Sequence, residues 1–241
     1  MTQLDQEEYQ PQDLSLVNRM IRIFFAPSET FEAVGMRHSW LDWFVPIVLV
    51  IALSLVTLQI TMPVIMETQK EALQERLKDM PEEQRQQTME MMQKTGGIAS
   101  MVAIPVFGFI LLFIIAGILL LIARYGLGGE VSYGQMLAVW GYSSLIGIIA
   151  IIVRTPLMLA KETAMVYTGL GMLIPDEMLK TFLGRVLAGV DLFTFWQICV
   201  ASVGLAVLTR NSTSKALVFL MILWAIWILI QAALGGLGMM G

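Results

Sequence analysis

The sequence predicts an all-α integral membrane protein with five transmembrane helices, and three observations lead to that fold class. Hydrophobic residues make up 57% of the 241 residues, and charged residues only 14%. Five apolar stretches approach or exceed the roughly 20 residues that a helix needs to cross a bilayer. Runs such as residues 106–122 lack the alternation of a transmembrane β-strand. We place the spans at residues 43–66, 98–123, 136–160, 187–209 and 216–234.

Before the first span, we predict a polar tail over residues 1–14 and interfacial helices over residues 15–37. Residues 14–25 place apolar side chains on one helical face and polar ones, including Arg19 and Arg22, mostly on the other. Such a helix either lies on the bilayer, with both arginines among the headgroup phosphates, or packs on the rest of the protein. The sequence leaves both interpretations open.

The five-span domain is predicted over residues 38–236, followed by a flexible tail at 237–241. Trp40 and Trp43 stand where the chain enters the first span, and amphipathic rings are enriched at membrane interfaces. We therefore add both tryptophans to Arg19 and Arg22 as membrane-surface candidates. Positive charges are divided almost evenly between the two sides, and we favour a cytosolic amino terminus.

The connection between the first two spans, residues 67–97, is predicted to be a helical extramembrane loop. It is rich in Glu, Gln, Lys, Arg and Met, and its apolar residues recur at helical spacing. This stripe packs either on the other half of the same loop or on a partner protein or second copy. The partner-surface candidates are Leu73, Leu77, Met80, Met89 and Met92.

Polar residues inside the predicted spans are candidates for an intramembrane site. Arg154 lies near the end of the third span and Asp191 near the start of the fourth, so antiparallel helices place them at similar depth. Their pairing would form a site for an ion, lipid headgroup or proton, or a structural clasp between helices; independent snorkelling is the other alternative. Gln59 and Gln197 are further polar candidates, which helix packing explains adequately.

The sequence offers little for catalysis. The single histidine, His38, has no paired carboxylates or cysteines beside it, and the single cysteine, Cys199, falls inside the fourth span. No nucleophile motif, phosphate-binding loop or dinucleotide fingerprint occurs. We therefore expect no enzyme activity, no metal site and no cofactor. A net charge of −4 also argues against nucleic acid as a partner.

Three short segments carry a resemblance to a known family. Residues 24–31 resemble the segment that precedes the first span in that family, and residues 139–144 resemble its Gly-Tyr motif; residues 81–85 resemble an insertion of bacterial relatives. Over residues 17–233 the chain resembles a prokaryotic member of the Yip1-domain family of five-span membrane proteins. The family-like residues are Pro27, Phe31, Gly141 and Tyr142.

The resemblance implies five spans, a cytosolic amino terminus and an existence in complexes, here in a prokaryotic cytoplasmic (inner) membrane. Eukaryotic members are associated with vesicle traffic and small prenylated GTPases, but their Asp-Leu-Tyr-Gly-Pro signature is absent here. GTPase binding therefore has no matching residues in this chain.

The function we predict is that of a non-enzymatic membrane protein that binds other membrane proteins or organises the bilayer. Its expected partners are the lipid bilayer and either other membrane proteins or further copies of itself. The alternative is a subunit of a transporter or channel complex, with the polar intramembrane residues lining its path.

Overall fold

The computed structural model describes residues 14–77 and 81–236, and the regular elements within these ranges are helical. A π-helical turn at Ile122–Gly126 and a 3-10 turn at Leu170–Leu173 accompany the α-helices. In chain order the α-helices are α1 (Leu16–Arg22), α2 (Pro27–Met36), α3 (Leu41–Arg76), α4 (Glu82–Leu121), α5 (Tyr133–Ser144), α6 (Ile146–Lys161), α7 (Asp176–Leu179), α8 (Phe182–Ala188), α9 (Leu192–Thr209) and α10 (Thr213–Gly236).

Five helical stretches are long and apolar enough to cross a membrane, which confirms the predicted fold class. They are Leu41–Thr68, Ala99–Gly126, Tyr133–Lys161, Leu192–Thr209 and Thr213–Gly235. The fourth begins later than the predicted residue 187. The sequence before it forms the separate helix α8, and Asp191 caps the start of α9 by accepting a hydrogen bond from Thr194 N at 2.8 Å.

Local sequence explains where the helices begin and end. Pro27, a family-like residue, stands at the first position of α2, where its missing N–H costs nothing. Ser132 and Gln135 form a reciprocal capping box at the start of α5. Glu162 and Arg210 adopt left-handed backbone angles, with φ of 51° and 53°, and end α6 and α9.

The third span, made of α5 and α6, lies at the centre of the bundle. Its buried share is 61%, against 17% for the fifth span. The helix α5 packs against α3, α4 and α9. The spans alternate in direction, so the bundle has an amino-terminal end, which carries α1 and α2, and an opposite end, which carries residues 162–191.

Beyond the first two spans, α3 continues to Arg76 and α4 begins at Glu82, so helix covers most of the loop predicted at residues 67–97. Leu77 is half-buried at the end of α3. The predicted tails at residues 1–13 and 237–241 lie outside the described residues. So do Met80 and the side chains of Leu73, Met89 and Met92, and the partner surface stays a prediction.

Candidate functional site

A buried polar network joins three helices at the amino-terminal end of the bundle. Asp42, in the first turn of α3, is 3% exposed. Its Oδ1 accepts hydrogen bonds from Arg19 Nη1 at 2.9 Å and from the Tyr142 hydroxyl at 2.6 Å. Its Oδ2 accepts from Ser39 N at 2.7 Å. Both carboxylate oxygens are therefore satisfied away from water, as a buried charge requires.

Arg19 occupies one of the two environments that the sequence left open, packing on the rest of the protein. Its guanidinium is buried, and it also donates from Nε to Leu14 O and from Nη1 to Arg37 O, each at 2.9 Å. The expectation that Arg19 lies among headgroup phosphates is wrong, because Asp42 draws it into the protein. For the Arg19 side chain, the second interpretation of residues 14–25 holds: it packs on the rest of the protein.

The other membrane-surface candidates lie nearer the outside. Arg22 forms an ion pair with Glu29 of α2, and both side chains remain partly exposed. Trp40 is 60% exposed just before α3 begins. Trp43 is half-buried and packs edge-on against Phe113, with ring centroids 5.8 Å apart. Contact of these residues with a membrane surface stays a prediction.

The family-like residues lie where the amino-terminal helices and α3 pack against the rest of the bundle. Phe31 of α2 is fully buried, and a Cβ added to Gly204 of α9 would lie 2.9 Å from its ring. A Cβ on Gly141 would lie 2.9 Å from the Trp43 Cα, so glycine lets α5 and α3 approach closely. The adjacent Tyr142 is fully buried and completes the Asp42 network.

A cleft of about 930 Å³ opens at the same end, between α2, the turn after the second span and the end of α9. Its charged lining residues are Glu32, Glu130 and Arg210. Among the described residues, Glu32 Oε2 is buried and accepts no hydrogen bond. No group of three His, Cys, Asp or Glu residues in the described ranges is placed to hold a metal ion.

At the opposite end, the structure brings the predicted pair of Arg154 and Asp191 together in an ion pair. Thr168 lies between them: its hydroxyl accepts from Arg154 Nε at 2.9 Å and donates to Asp191 Oδ1 at 2.6 Å. Asp191 Oδ2 accepts from the Thr194 hydroxyl at 2.8 Å. The carboxylate is thus held by four groups at the boundary of the fourth span.

The protonation of Asp191 follows from these contacts. Partial burial alone would raise its pKa, because desolvation disfavours the charged form. Hydrogen bonds from Thr168 and Thr194, together with the Arg154 charge, outweigh that effect and lower the pKa below its ordinary value. Asp191 is therefore a stable anion at neutral pH.

The two glutamines do not join this pair in one site. Gln59 lies on the exposed surface of α3, and Gln197 is half-buried on α9. Neither amide has a hydrogen-bond partner among the described residues. The intramembrane polar candidates are therefore distributed over different surfaces of the bundle.

Sequence reasoning missed Asp42, Thr168 and Thr194. A usable signal existed for Asp42, because an acid one residue inside a long apolar helix needs a partner, and Arg19 is a nearby cation in the preceding segment. Thr194 stands three residues after an acid, which is the spacing of a helix cap. Thr168 carried no signal, since only the fold brings it to Arg154.

Comparison with known proteins gives one match. No curated protein and no solved structure matches the chain. The Yip1 domain matches residues 21–235, which include α2 to α9 and almost all of α10. The match also covers both segments that carry the family-like residues. The chain therefore belongs to the Yip1 domain family of membrane proteins.

Proposed function

We propose that this integral membrane protein is non-enzymatic and works by binding other membrane proteins within the bilayer, thereby organising the membrane around it. The single observation that carries the proposal is the position of Gln59. It lies within the first span, between Asp42 and Glu67, in a stretch without ionised residues. Its side chain is exposed on the outside of the bundle, where lipid tails offer no hydrogen bond.

Gln59 is part of a regular stripe along α3. The exposed residues of this stripe recur at alternating intervals of three and four, the spacing of a seam between two packed helices. Apart from the glutamine, their side chains are apolar. The stripe residues are Leu49, Ala52, Val56, Gln59 and Pro63.

A single polar residue in such a seam favours a helical partner over lipid. An unsatisfied polar group costs about 1–3 kcal/mol. Hydrogen bonds between transmembrane helices contribute about 0.6–2 kcal/mol. Because an amide both donates and accepts, Gln59 suits a helix of another membrane protein and equally its own counterpart in a second copy.

The amino-terminal end offers a second contact, with lipid. On α1 the side chains of Val17 and Ile21 are exposed one turn apart, and Phe25 is exposed in the turn that follows, while Arg19 is turned inward. This face suits the acyl boundary of the adjacent leaflet. In the proposal the amino terminus is cytosolic and the membrane is a prokaryotic cytoplasmic membrane, as the resemblance to prokaryotic members implies.

The alternative function, a transporter or channel subunit, has less support. Arg154 and Asp191 bind each other and two threonines, so they offer no open polar path. Gln59 lies on the outside of the bundle rather than facing them.

Site-specific photocrosslinking in native membranes tests the proposal. A photoreactive amino acid replaces Val56, which lies one turn from Gln59 and is 56% exposed. The control replaces Ile226 of α10, which is 47% exposed on a surface without a polar residue beside it. Each probe is combined with Gln59→Leu, which removes the amide, and with Ile60→Leu, which changes only the shape of an adjacent side chain.

We expect the Val56 probe to give a discrete protein adduct and the Ile226 probe to give lipid adducts. Loss of 0.6–2 kcal/mol corresponds to an association about 3- to 30-fold weaker, so Gln59→Leu should reduce the protein adduct by a factor in that range. Ile60→Leu should leave it unchanged. Lipid adducts alone at Val56, or a protein adduct indifferent to Gln59→Leu, would refute the proposal.

A further inference from the structure

The connection between the third and fourth spans exposes apolar side chains, although it lies outside both spans. Those on its surface are between 42% and 74% exposed. Such a set is unusual for a loop in water, because large contiguous apolar patches mark contact surfaces. The exposed apolar residues of this connection are Met165, Leu170, Met172, Leu173, Phe182 and Leu183.

This connection is fastened to the ends of two spans. Arg154 and Asp191 hold Thr168 between them, and Leu170 N donates to Val190 O at 3.1 Å. A Cβ on Gly169 would lie 1.9 Å from Val190 O, so only glycine permits this approach. We name Arg154, Thr168 and Asp191 together the clasp.

The helix α8 lies against the last turns of α10. Arg185 Nε donates to Ala232 O at 2.8 Å. A Cβ on Gly189 would lie 3.0 Å from the Ile228 side chain. The cationic side chain of α8 is therefore turned onto the backbone of α10, and its neighbours Phe182 and Leu183 remain outside.

These contacts place α8 at a definite depth. At about 1.5 Å per residue, Ile228 and Ala232 lie about 22 and 28 Å along α10 from Thr213. The hydrocarbon core is about 30 Å thick. The helix α8 thus lies beside the last part of the fifth span rather than beyond it in water.

We propose that the exposed apolar side chains of residues 165–183 insert into the leaflet at the opposite end of the bundle and contact lipid acyl chains, while the clasp holds the connection in place and Glu177 faces water. The occupant is lipid because α10 exposes Trp227, Leu229 and Ile230, apolar side chains of the fifth span at the level where Ile228 meets the end of α8. This inference is independent of the role of Gln59.

Fluorescence quenching in reconstituted vesicles tests the insertion. The full chain with its single cysteine removed by Cys199→Ala receives one new cysteine, Leu173→Cys or Phe182→Cys, labelled with an environment-sensitive dye. Glu177→Cys, exposed on the same connection and charged in the native chain, is the matched water-side control. The vesicles are phosphatidylcholine, with or without a nitroxide on the acyl chain, and iodide is the aqueous quencher.

We expect the acyl-chain nitroxide to quench the dyes at positions 173 and 182 several-fold more than the dye at 177, and iodide to show the reverse order. Equal iodide quenching at all three positions would place the connection in water and overturn the proposal. Protection from both quenchers would indicate a protein contact and would also overturn it.

The role of the clasp has its own test. Thr168→Val keeps the shape of the side chain but removes the hydroxyl between Arg154 and Asp191. In this variant we expect iodide quenching at position 173 to rise at least two-fold relative to the parent. Unchanged quenching would show that the clasp does not hold the connection in the bilayer. Thr181→Val, which removes a hydroxyl that donates to Met178 O of α7 and accepts from Gly184 N of α8 but does not contact the clasp, is the matched control.

Discussion

Removing the Tyr142 hydroxyl is the sharpest test of the buried network at the amino-terminal end. Tyr142→Phe deletes one oxygen from a fully buried side chain and leaves the ring in place, so it creates almost no cavity. The lost interaction is a 2.6 Å hydrogen bond to the Asp42 carboxylate. Its removal leaves Arg19 and Ser39 as the partners of that group.

A hydrogen bond to a charged group contributes about 1.5–3 kcal/mol. For a chain of this size, 1 kcal/mol shifts the melting temperature by about 2–4 °C. We therefore expect Tyr142→Phe to melt about 3–12 °C below the parent protein, as measured by heating in mild detergent and quantifying the monodisperse fraction by size-exclusion chromatography.

Tyr133→Phe is the matched control on the same span. Its hydroxyl donates to the neutral Phe113 O at 2.8 Å from an exposed position, and its loss should have less than half the effect of Tyr142→Phe. A Tyr142→Phe protein that melts with the parent, or no lower than Tyr133→Phe, would refute the view that this hydroxyl supports a buried carboxylate.

Three further predictions concern stability and use the same melting assay. Arg154→Leu or Asp191→Leu alone should lower the free energy of unfolding by about 1–3 kcal/mol, and the double variant should recover most of the loss. The expected loss is below the range for fully buried pairs because the Arg154 side chain is 37% exposed. Because the folded state lowers the pKa of Asp191, the ionised carboxylate stabilises the fold fully above its ordinary pKa of about 4. This stabilisation is lost as the pH falls through the lowered pKa. The difference in stability between the parent and Asp191→Asn should therefore shrink only in acid. Gly141→Ala should destabilise by about 1–3 kcal/mol because its Cβ would meet the Trp43 backbone, whereas Gly147→Ala, with open space around it, should not destabilise.

The five spans could be predicted because length and apolar content alone determine which segments cross a bilayer. The pairing of Arg154 with Asp191 could also be predicted, since antiparallel helices bring charges of similar depth together. The orientation of Arg19 could not. A polar face on a short helix suits headgroups or a buried acid equally well, and only the tertiary position of Asp42 decides between them.

The sequence also could not predict which side of an apolar span faces lipid. The first span is hydrophobic around its whole circumference, so no periodic pattern distinguishes the surface of Gln59 from the surface that packs on α5. Packing therefore explained Gln59 adequately from sequence alone. The exposed position of the glutamine emerges only when the neighbouring helices are in place.

The most direct test of the proposed interaction function is the mass of the protein released from its native membranes, measured by native mass spectrometry without prior detergent purification. We predict a stoichiometric complex, with either a second copy or another membrane protein, and a several-fold lower complexed fraction in Gln59→Leu but not in Ile60→Leu. Single chains carrying only lipid, found in the parent protein as in Gln59→Leu, would contradict the proposal.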